Sequence, residues 1–376
     1  MSPTLKKVDK LTITFLVDNS IEWFTKLPEG FSMEIHTHLK EKHLPIDELT
    51  GVPILEFNDF CCDYALDLTN LPTGAHGFSA LIETSTSDEP DIKHHTLFDT
   101  GPDSTSLVHN LTSMQIPASN ITRVITSHWH SDHTGGLLSF LQYRKDKDST
   151  QGKARECVID VHPDRPIARG IAPGPTFTKV IARLREDPSF EAMEALGARV
   201  EKHAEGHGVA GGTVWVSGEI PRVTDFEAEG LKGGMRWKGK EAGWVAEPHI
   251  MDERYAVIDV AGKGLVVFSA CSHAGIINVV KSLVDTFSRP VYMIIGGLHL
   301  AGVDMAPRVQ PTVEFLSKTL RPSPTYVLPM HCTGFPAKAA LEKELGEGCV
   351  PAGVGIKVEV VGDREHDARL GAATYK

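Results

Sequence analysis

Short apolar runs alternate along the chain with longer segments whose apolar residues recur every three or four positions. The short runs predict β-strands, and the longer periodic segments predict α-helices. Two strand and helix pairs are the clearest: residues 123–126 followed by 135–147, and residues 264–269 followed by 276–287. This alternation predicts an α/β fold built from βαβ units.

The remaining apolar runs extend the same pattern to both ends of the chain. Further strands are predicted at residues 11–17, 76–83, 95–102, 157–162, 214–220, 255–260, 291–295, 326–330 and 356–361, and further helices at 106–114, 313–320 and 337–345.

Two regions are less regular than the rest. Residues 22–70 form a long irregular stretch with one possible short strand at 54–57, which we expect to shape access to a site. Residues 164–212 predict an inserted helical segment, with helices at 177–185 and 191–202. Because 41% of the residues are apolar, the chain can bury a large core, and we expect residues 1–376 to form a single domain.

Charge and cysteine content narrow the function. The 38 Lys and Arg residues against 49 Asp and Glu residues give a formal net charge of −11, so nucleic acid is not an expected partner. The apolar runs are too short to cross a membrane. The six cysteines show no CxxC spacing, which favours reduced thiols and a cytoplasmic location. A small-molecule substrate is the expected partner, and the oligomeric state is left open.

The strongest chemical signal is an HxHxDH motif between a predicted strand and a predicted helix. His128 and His130 lie two positions apart in an extended loop, so their side chains point the same way and can bind one ion. Asp132 and His133 follow where the chain turns into the helix, and can bind a second ion. The spacing predicts a two-metal site.

Two later strands also end at a histidine before a helix, at His273 and His331. Carboxyl ends of neighbouring strands meet at one edge of a sheet, so these side chains are expected to converge with His128. A serine hydrolase using Ser79 or Ser272 is disfavoured, because the chain has no GxSxG motif.

These residues resemble the metallo-β-lactamase superfamily, whose fold is an αββα sandwich. The resemblance extends to the branch of 7,8-dihydropterin-6-methyl-4-(β-D-ribofuranosyl)aminobenzene-5′-phosphate synthase and related fungal lactamase-type hydrolases. The motifs that carry it are Asp18-Asn19, His76-Gly77-Phe78-Ser79 and the segments 97–101, 217–222, 271–275, 296–300 and 331–334.

The resemblance implies His128 and His130 on one metal, and Asp132, His133 and His331 on the second. His273 stands where many members have a bridging Asp, so it could ligate one metal or both. Other residues are expected to bind substrate or support the ligands: His76, Trp129, His162, Glu219 and Arg222. Among these, Glu219 could ligate metal or orient a ligand, His162 could equally be a core residue, and core packing is the alternative for Trp129.

Imidazole and carboxylate ligands suit one or two Zn²⁺ ions, with Mn²⁺ or Fe²⁺ as alternatives. Cys271 and Cys332 adjoin ligands, but small buried apolar roles explain them equally well. The predicted activity is a metallo-hydrolase that uses a metal-activated water, with Asp132 as catalytic residue. We expect it to open a small cyclic amide, carbamate or ester, for example a benzoxazolinone-type lactam. A phosphoester or pterin-related reaction and an inactive metal-binding scaffold are the alternatives.

Overall fold

The computed structural model describes residues 3–22, 25–33, 49, 71–151 and 156–375. Most of the irregular region 22–70, including the possible strand at 54–57, therefore lies outside the described residues. No helix in the described part of the chain is both long and apolar enough to cross a membrane.

The described strands are β1 Lys7–Val8, β2 Lys10–Val17, β3 Phe31–Met33, β4 Ser79–Thr86, β5 Glu89–Phe98, β6 Arg123–Ile125, β7 Cys157–Val161, β8 Arg169–Ile171, β9 Ala182–Arg183, β10 Ala198–Lys202, β11 His207–Val209, β12 Val214–Val216, β13 Gly234–Trp237, β14 Trp244–Ala246, β15 Ala256–Val260, β16 Gly264–Ser269, β17 Val291–Gly297, β18 Tyr326–Met330 and β19 Ile356–Val361. The α-helices are α1 Ser106–Ser113, α2 Ser131–Thr134, α3 Leu137–Gln151, α4 Phe190–Ala195, α5 Ile276–Phe287, α6 Ala306–Glu314, α7 Phe335–Leu345 and α8 Arg364–Asp367.

Two large sheets form the centre of the fold. Among the described residues, one has the order β10-β7-β6-β5-β4-β2-β19-β3, and the other has the order β11-β12-β15-β16-β17-β18 with β1 beside β15. A small third sheet has the order β14-β13-β8-β9. Strands β5, β6 and β7 are parallel to one another, and so are β16, β17 and β18. The parallel runs bring several carboxyl ends to a common edge.

Buried apolar residues fill three layers. Phe15, Phe98 and Phe268 belong to a core formed by residues of both large sheets. A second core packs β16 and β17 against helix α5, and a third packs β6 and β7 against helices α1 and α3. The layer order is helix, sheet, sheet, helix, which confirms the predicted αββα sandwich.

Within residues 164–212, the predicted helix at 177–185 is wrong, and the one predicted at 191–202 is right only for its first residues. The segment contains strands β8 to β11 and one six-residue helix, α4. Gly197 ends that helix with a φ of +87°, after which Ala198 and Val200 continue in β10, paired in parallel with β7. The apolar spacing at 177–184 imitates a helix, but β9 pairs there with β8, and Ile181 is 67% exposed.

Candidate metal centre

The histidine motif lies where the sequence predicts it, between the end of β6 and the start of α3. His128 is buried in the loop after β6, His130 precedes the short helix α2, and Asp132 and His133 lie within that helix. His273 follows β16, and His331 follows β18. Ends of both large sheets therefore contribute side chains to one region.

Three imidazoles form the first group of potential ligands: His128, His130 and His273. The Nε2 atom of His128 lies 3.0 Å from Nδ1 of His130 and 3.2 Å from Nε2 of His273. Metal–nitrogen bonds of about 2.0–2.1 Å in tetrahedral geometry place ligand atoms roughly 3.3–3.4 Å apart. The observed spacing is close to that value, so this group fits one divalent ion.

Burial keeps these rings neutral. It lowers the pKa of His130 to about 3, with Arg169 adding to the effect. Burial also lowers the pKa of His128 and of His273 well below the usual value, and the neighbouring histidines lower them further. A neutral imidazole has a free lone pair, which is the form that binds metal.

The second group contains Asp132, His133, Cys271 and His331. The Nε2 atom of His133 lies 3.2 Å from the Cys271 thiol, and Oδ2 of Asp132 lies 3.3 Å from Nε2 of His331. The Nε2 atom of His331 is buried and has no hydrogen-bond partner among the described residues. An unsatisfied buried nitrogen is costly, and an ion shared with the neighbouring donors would satisfy it.

Negative charge dominates this second group. Burial opposes protonation of His133, but Asp132 and Asp99 raise its pKa to about 9. Burial also acts to raise the pKa of Asp132, yet His133 and His331 hold it far below the usual range. The field that favours a proton on His133 equally favours a cation between these side chains. Nitrogen, oxygen and sulfur donors together suit Zn²⁺.

A second layer of carboxylates holds the ligands in place. Asp99 accepts hydrogen bonds from the backbone N–H of Ser127, from the Ser127 hydroxyl and from Nδ1 of His133, at 2.6 to 2.8 Å. The Ser127 hydroxyl in turn lies 2.8 Å from Nδ1 of His128. Because Ser127 gives its proton to Asp99, it accepts one from His128. In its neutral form each ring therefore points an unprotonated Nε2 into the site, and a bound ion would take the place of the proton that the acidic neighbours favour on His133.

Three other carboxylates fix the loops. Glu253 accepts from the backbone N–H groups of His273 and Ala274 at 2.7 Å, and burial raises its pKa to about 7. Asp252 accepts from the backbone N–H of Trp129, and Asp18 accepts from that of His331. Each ligand-bearing loop is thus tied to a buried carboxylate.

Backbone strain concentrates at the same place. Four non-glycine residues around the site have positive φ: Asp99 at 62°, Ser272 at 58°, His299 at 50° and His331 at 44°. Such conformations are costly and persist where the surrounding structure enforces them, as at functional sites. Gly275, with φ +98°, permits a closer approach, since a Cβ there would lie 2.2 Å from the Glu227 carboxylate.

Comparison with known proteins agrees with this geometry. Residues 77–223 match the family model of the metallo-beta-lactamase superfamily. Over 275 residues the chain is 30% identical to 7,8-dihydropterin-6-methyl-4-(beta-D-ribofuranosyl)-aminobenzene-5′-phosphate synthase of Methanocaldococcus jannaschii, covering 72% of this chain and 85% of that relative. The chain belongs to the metallo-β-lactamase superfamily. The resemblance seen in the motifs is confirmed.

Two further similarities accompany this match. An uncharacterised protein of the same archaeon is 27% identical over 281 residues, covering 71% of this chain and 88% of that protein. The crystal structure of a metal-dependent hydrolase of the β-lactamase superfamily matches with a TM-score of 0.59 at 18% identity, covering 93% of this chain and 99% of the other. This second similarity shows a shared fold.

Two other predicted site residues, His76 and Trp129, lie in different environments. His76 lies at the centre, with its Nε2 atom 3.7 Å from Oδ2 of Asp132. Trp129 does not face a cleft: it is fully buried, donates to the backbone oxygen of His162 and packs against Phe190. Its prediction as a substrate-contacting residue is not supported, because a fully buried ring cannot touch a ligand.

His162, Glu219 and Arg222 make their described contacts outside the two ligand groups. The Nδ1 atom of His162 accepts from the backbone N–H of Asp164, while Glu219 is exposed. Neither belongs to a ligand group within the described residues. Arg222 is half-buried and contacts the sulfur of Met251, and its Nε and Nη2 atoms are buried with no hydrogen-bond partner in the part of the chain that the structure describes.

The sequence did not single out Cys271 as a ligand, although the structure places its thiol against His133. Cys271 also forms a group with His299 and Cys332. Its position in the sequence could have indicated this role, because Cys271 lies two residues before His273, in the loop that leaves β16. Another cluster, of Asp160 with two histidines, is not a comparable site, because arginines already neutralise Asp160.

Proposed function

We propose that this protein is a metal-dependent hydrolase with water as the nucleophile, and that it opens a small cyclic amide, carbamate or ester. The observation that carries the proposal is the pair of adjacent ligand groups, one of three imidazoles and one of Asp132, His133, Cys271 and His331. Membership of the superfamily supports a hydrolase. Zn²⁺ is the proposed metal, with Mn²⁺ and Fe²⁺ as alternatives.

When bound, such ions supply a water that loses its proton near neutral pH and positive charge beside the bond that breaks. The side chains of the protein orient the water and shield the ligand atoms from bulk solvent. Asp132 remains ionised and 26% exposed, so its carboxylate can accept a hydrogen bond from water in the cleft and orient it. His128, His133, His273 and His331 are at most 5% exposed, which keeps bulk water away from the ligand atoms.

Exposed apolar side chains follow two histidines of this region in the sequence, which favours a substrate with an apolar body. Phe335 is 82% exposed and lies at the start of α7, four residues after His331. Val303 is 90% exposed and lies four residues after His299, whose ring packs on that of His273 at 4.5 Å. Exposed apolar groups beside a polar centre are a common feature of small-molecule sites.

A phosphorylated substrate is the second candidate. The Nε and Nη2 atoms of Arg222 favour it, because they are buried and find no acceptor among the described residues, and an anionic group would supply one. The name of the archaeal relative also includes a 5′-phosphate.

The test combines metal content with a substrate panel. We expect purified protein to contain about two equivalents of divalent metal, chelation to abolish turnover, and added Zn²⁺ or Mn²⁺ to restore it. Benzoxazolinone-type lactams, cyclic carbamates and lactones are compared with phosphomonoesters and phosphodiesters. Asp132→Asn should be inactive on every substrate, while Glu347→Gln, at a 93% exposed side chain, serves as a control. Full turnover after exhaustive chelation would refute the hydrolase proposal, and absence of bound metal and turnover would favour a scaffold.

A further inference from the structure

A single amide connects two histidines beside the second ligand group. The Asn19 side chain lies between His331 and His76, with its Oδ1 atom 3.1 Å from Nδ1 of His331 and its Nδ2 atom 3.1 Å from Nδ1 of His76. His331 belongs to the ligand group, whereas His76 belongs to neither group. The same side chain therefore presents its oxygen to one ring and its nitrogen to the other.

A backbone contact fixes the orientation of this amide. The N–H of Gly77 points at Oδ1 of Asn19 at 3.4 Å, and a backbone N–H can only donate. Oxygen therefore faces Gly77 and His331, and the NH₂ group faces His76. Rotating the amide by half a turn would place its NH₂ group against the N–H of Gly77, so that two donors would face each other.

The amide orientation determines where each ring carries its proton. His331 donates from Nδ1 to the amide oxygen, so its Nε2 has a free lone pair directed at Asp132. His76 accepts at Nδ1 from the amide NH₂, so in the neutral ring the proton is on Nε2. Asn19 thus makes His331 a potential ligand and His76 a donor.

The Nε2–H of His76 is free to reach a bound molecule. Its distance of 3.7 Å from Oδ2 of Asp132 is too long for a hydrogen bond, and the His76 side chain is 71% exposed. Its ring centroid is 4.9 Å from that of His331. The donor therefore lies at the open side of the second ligand group, where substrate would enter.

We propose that His76 is a catalytic hydrogen-bond donor, and that Asn19 is the positioning residue that keeps it from ligating metal. The acceptor is an oxygen of the group being hydrolysed, whether carbonyl, carbamate or phosphoryl. This inference rests on the proposed hydrolase function. His76 stabilises negative charge that develops on that oxygen as the bond to water forms.

The experiment uses metal-loaded full-length protein and three variants: His76→Ala, His76→Gln and Asn19→Asp. The control is His366→Ala, an exposed histidine in α8. Measurements are kcat and KM on the best substrate of the panel, metal content, and long-range ¹H–¹⁵N spectra that identify the protonated nitrogen of each ring. The spectra and the metal content require no turnover.

His76→Ala is expected to lose roughly 100-fold in kcat/KM, mainly in kcat, with metal content unchanged. His76→Gln should recover at least roughly tenfold of that loss, because its amide can also donate. Asn19→Asp presents a carboxylate to both rings, so His76 should move its proton to Nδ1 and activity should fall as in His76→Ala. The control should match the wild type.

Turnover by the wild type tests the hydrolase function separately. With turnover established, the inference is overturned if His76→Ala is fully active or loses metal. It is also overturned if spectra of the wild type show a lone pair on Nε2 of His76, or if that proton stays in place in Asn19→Asp.

Discussion

Asp160 joins the two large sheets, and its removal should destabilise the fold by a predictable amount. It is buried in β7, and its carboxylate accepts from Arg254 and from Nε2 of His207, each at 2.8 Å, and from Arg123 at 3.1 Å. His207 begins β11 of the opposite sheet, and Arg254 lies two residues before β15 of that sheet.

The magnitude follows from proton linkage. Burial acts to raise the pKa of Asp160, but His207 and Arg254 lower it from 3.8 to about 2. At roughly 1.4 kcal/mol for each tenfold change in proton affinity, the ionised form stabilises the fold by about 2 kcal/mol. Asp160→Asn also leaves Arg254 buried without its counter-charge, which raises the expected loss toward about 3–5 kcal/mol.

Because the folded-state pKa is depressed, this stabilisation is present above the unfolded pKa of about 3.8 and disappears as the pH falls toward 2. Urea unfolding followed by circular dichroism measures the loss in Asp160→Asn near neutral pH, at about pH 5 and at about pH 3. The difference from the wild type should be constant over the first two and smaller at the third. Asp88→Asn, which removes an exposed partner of Arg364, is the control. A loss below about 1 kcal/mol near neutral pH, or one that grows with acidification, would refute this reasoning.

Three further substitutions test the metal centre and the loop after β16. Cys271→Ala should lose one of two metal equivalents by elemental analysis, whereas Cys349→Ala should keep both; two equivalents in both variants would remove Cys271 from the ligand set. Glu253→Gln cannot accept both backbone N–H groups of the loop after β16, so metal affinity in a competition titration should fall roughly 10- to 100-fold, and equality with the exposed-site control Glu347→Gln would contradict this. Gly275→Ala forces an unfavourable φ and a clash with a buried carboxylate, so urea unfolding should show a loss of at least about 2 kcal/mol, and wild-type stability would show that the loop relaxes.

Much of the sandwich could be predicted from the sequence, because strands such as β16 and β18 are continuous apolar runs with clear ends. The convergence of His128, His273 and His331 follows from their shared position after a strand. The same logic favours core packing for Trp129, the alternative that the sequence left open. Residues alternate in an extended loop, so a ring between two inward-facing histidines points away from them, into the core.

Other features depend on contacts that no local pattern contains. A buried cysteine and a ligand cysteine look alike in sequence, and Cys271 meets His133 across 138 positions. The apolar spacing near Ile181 is the same for a helix as for the irregular chain that leads into β9. Only the pairing of β9 with β8 distinguishes the two.

Each ligand group draws its members from both halves of the sandwich: the motif after β6 belongs to one sheet, and the loops after β16 and β18 belong to the other. An ion held there would link the two sheets, and the unfolded chain cannot form the same binding site. Resistance to denaturation should therefore rise with free metal concentration, by about 2.7 kcal/mol at a hundredfold excess over Kd at a single site. Starving a cell of the metal would then threaten the protein's lifetime along with its activity.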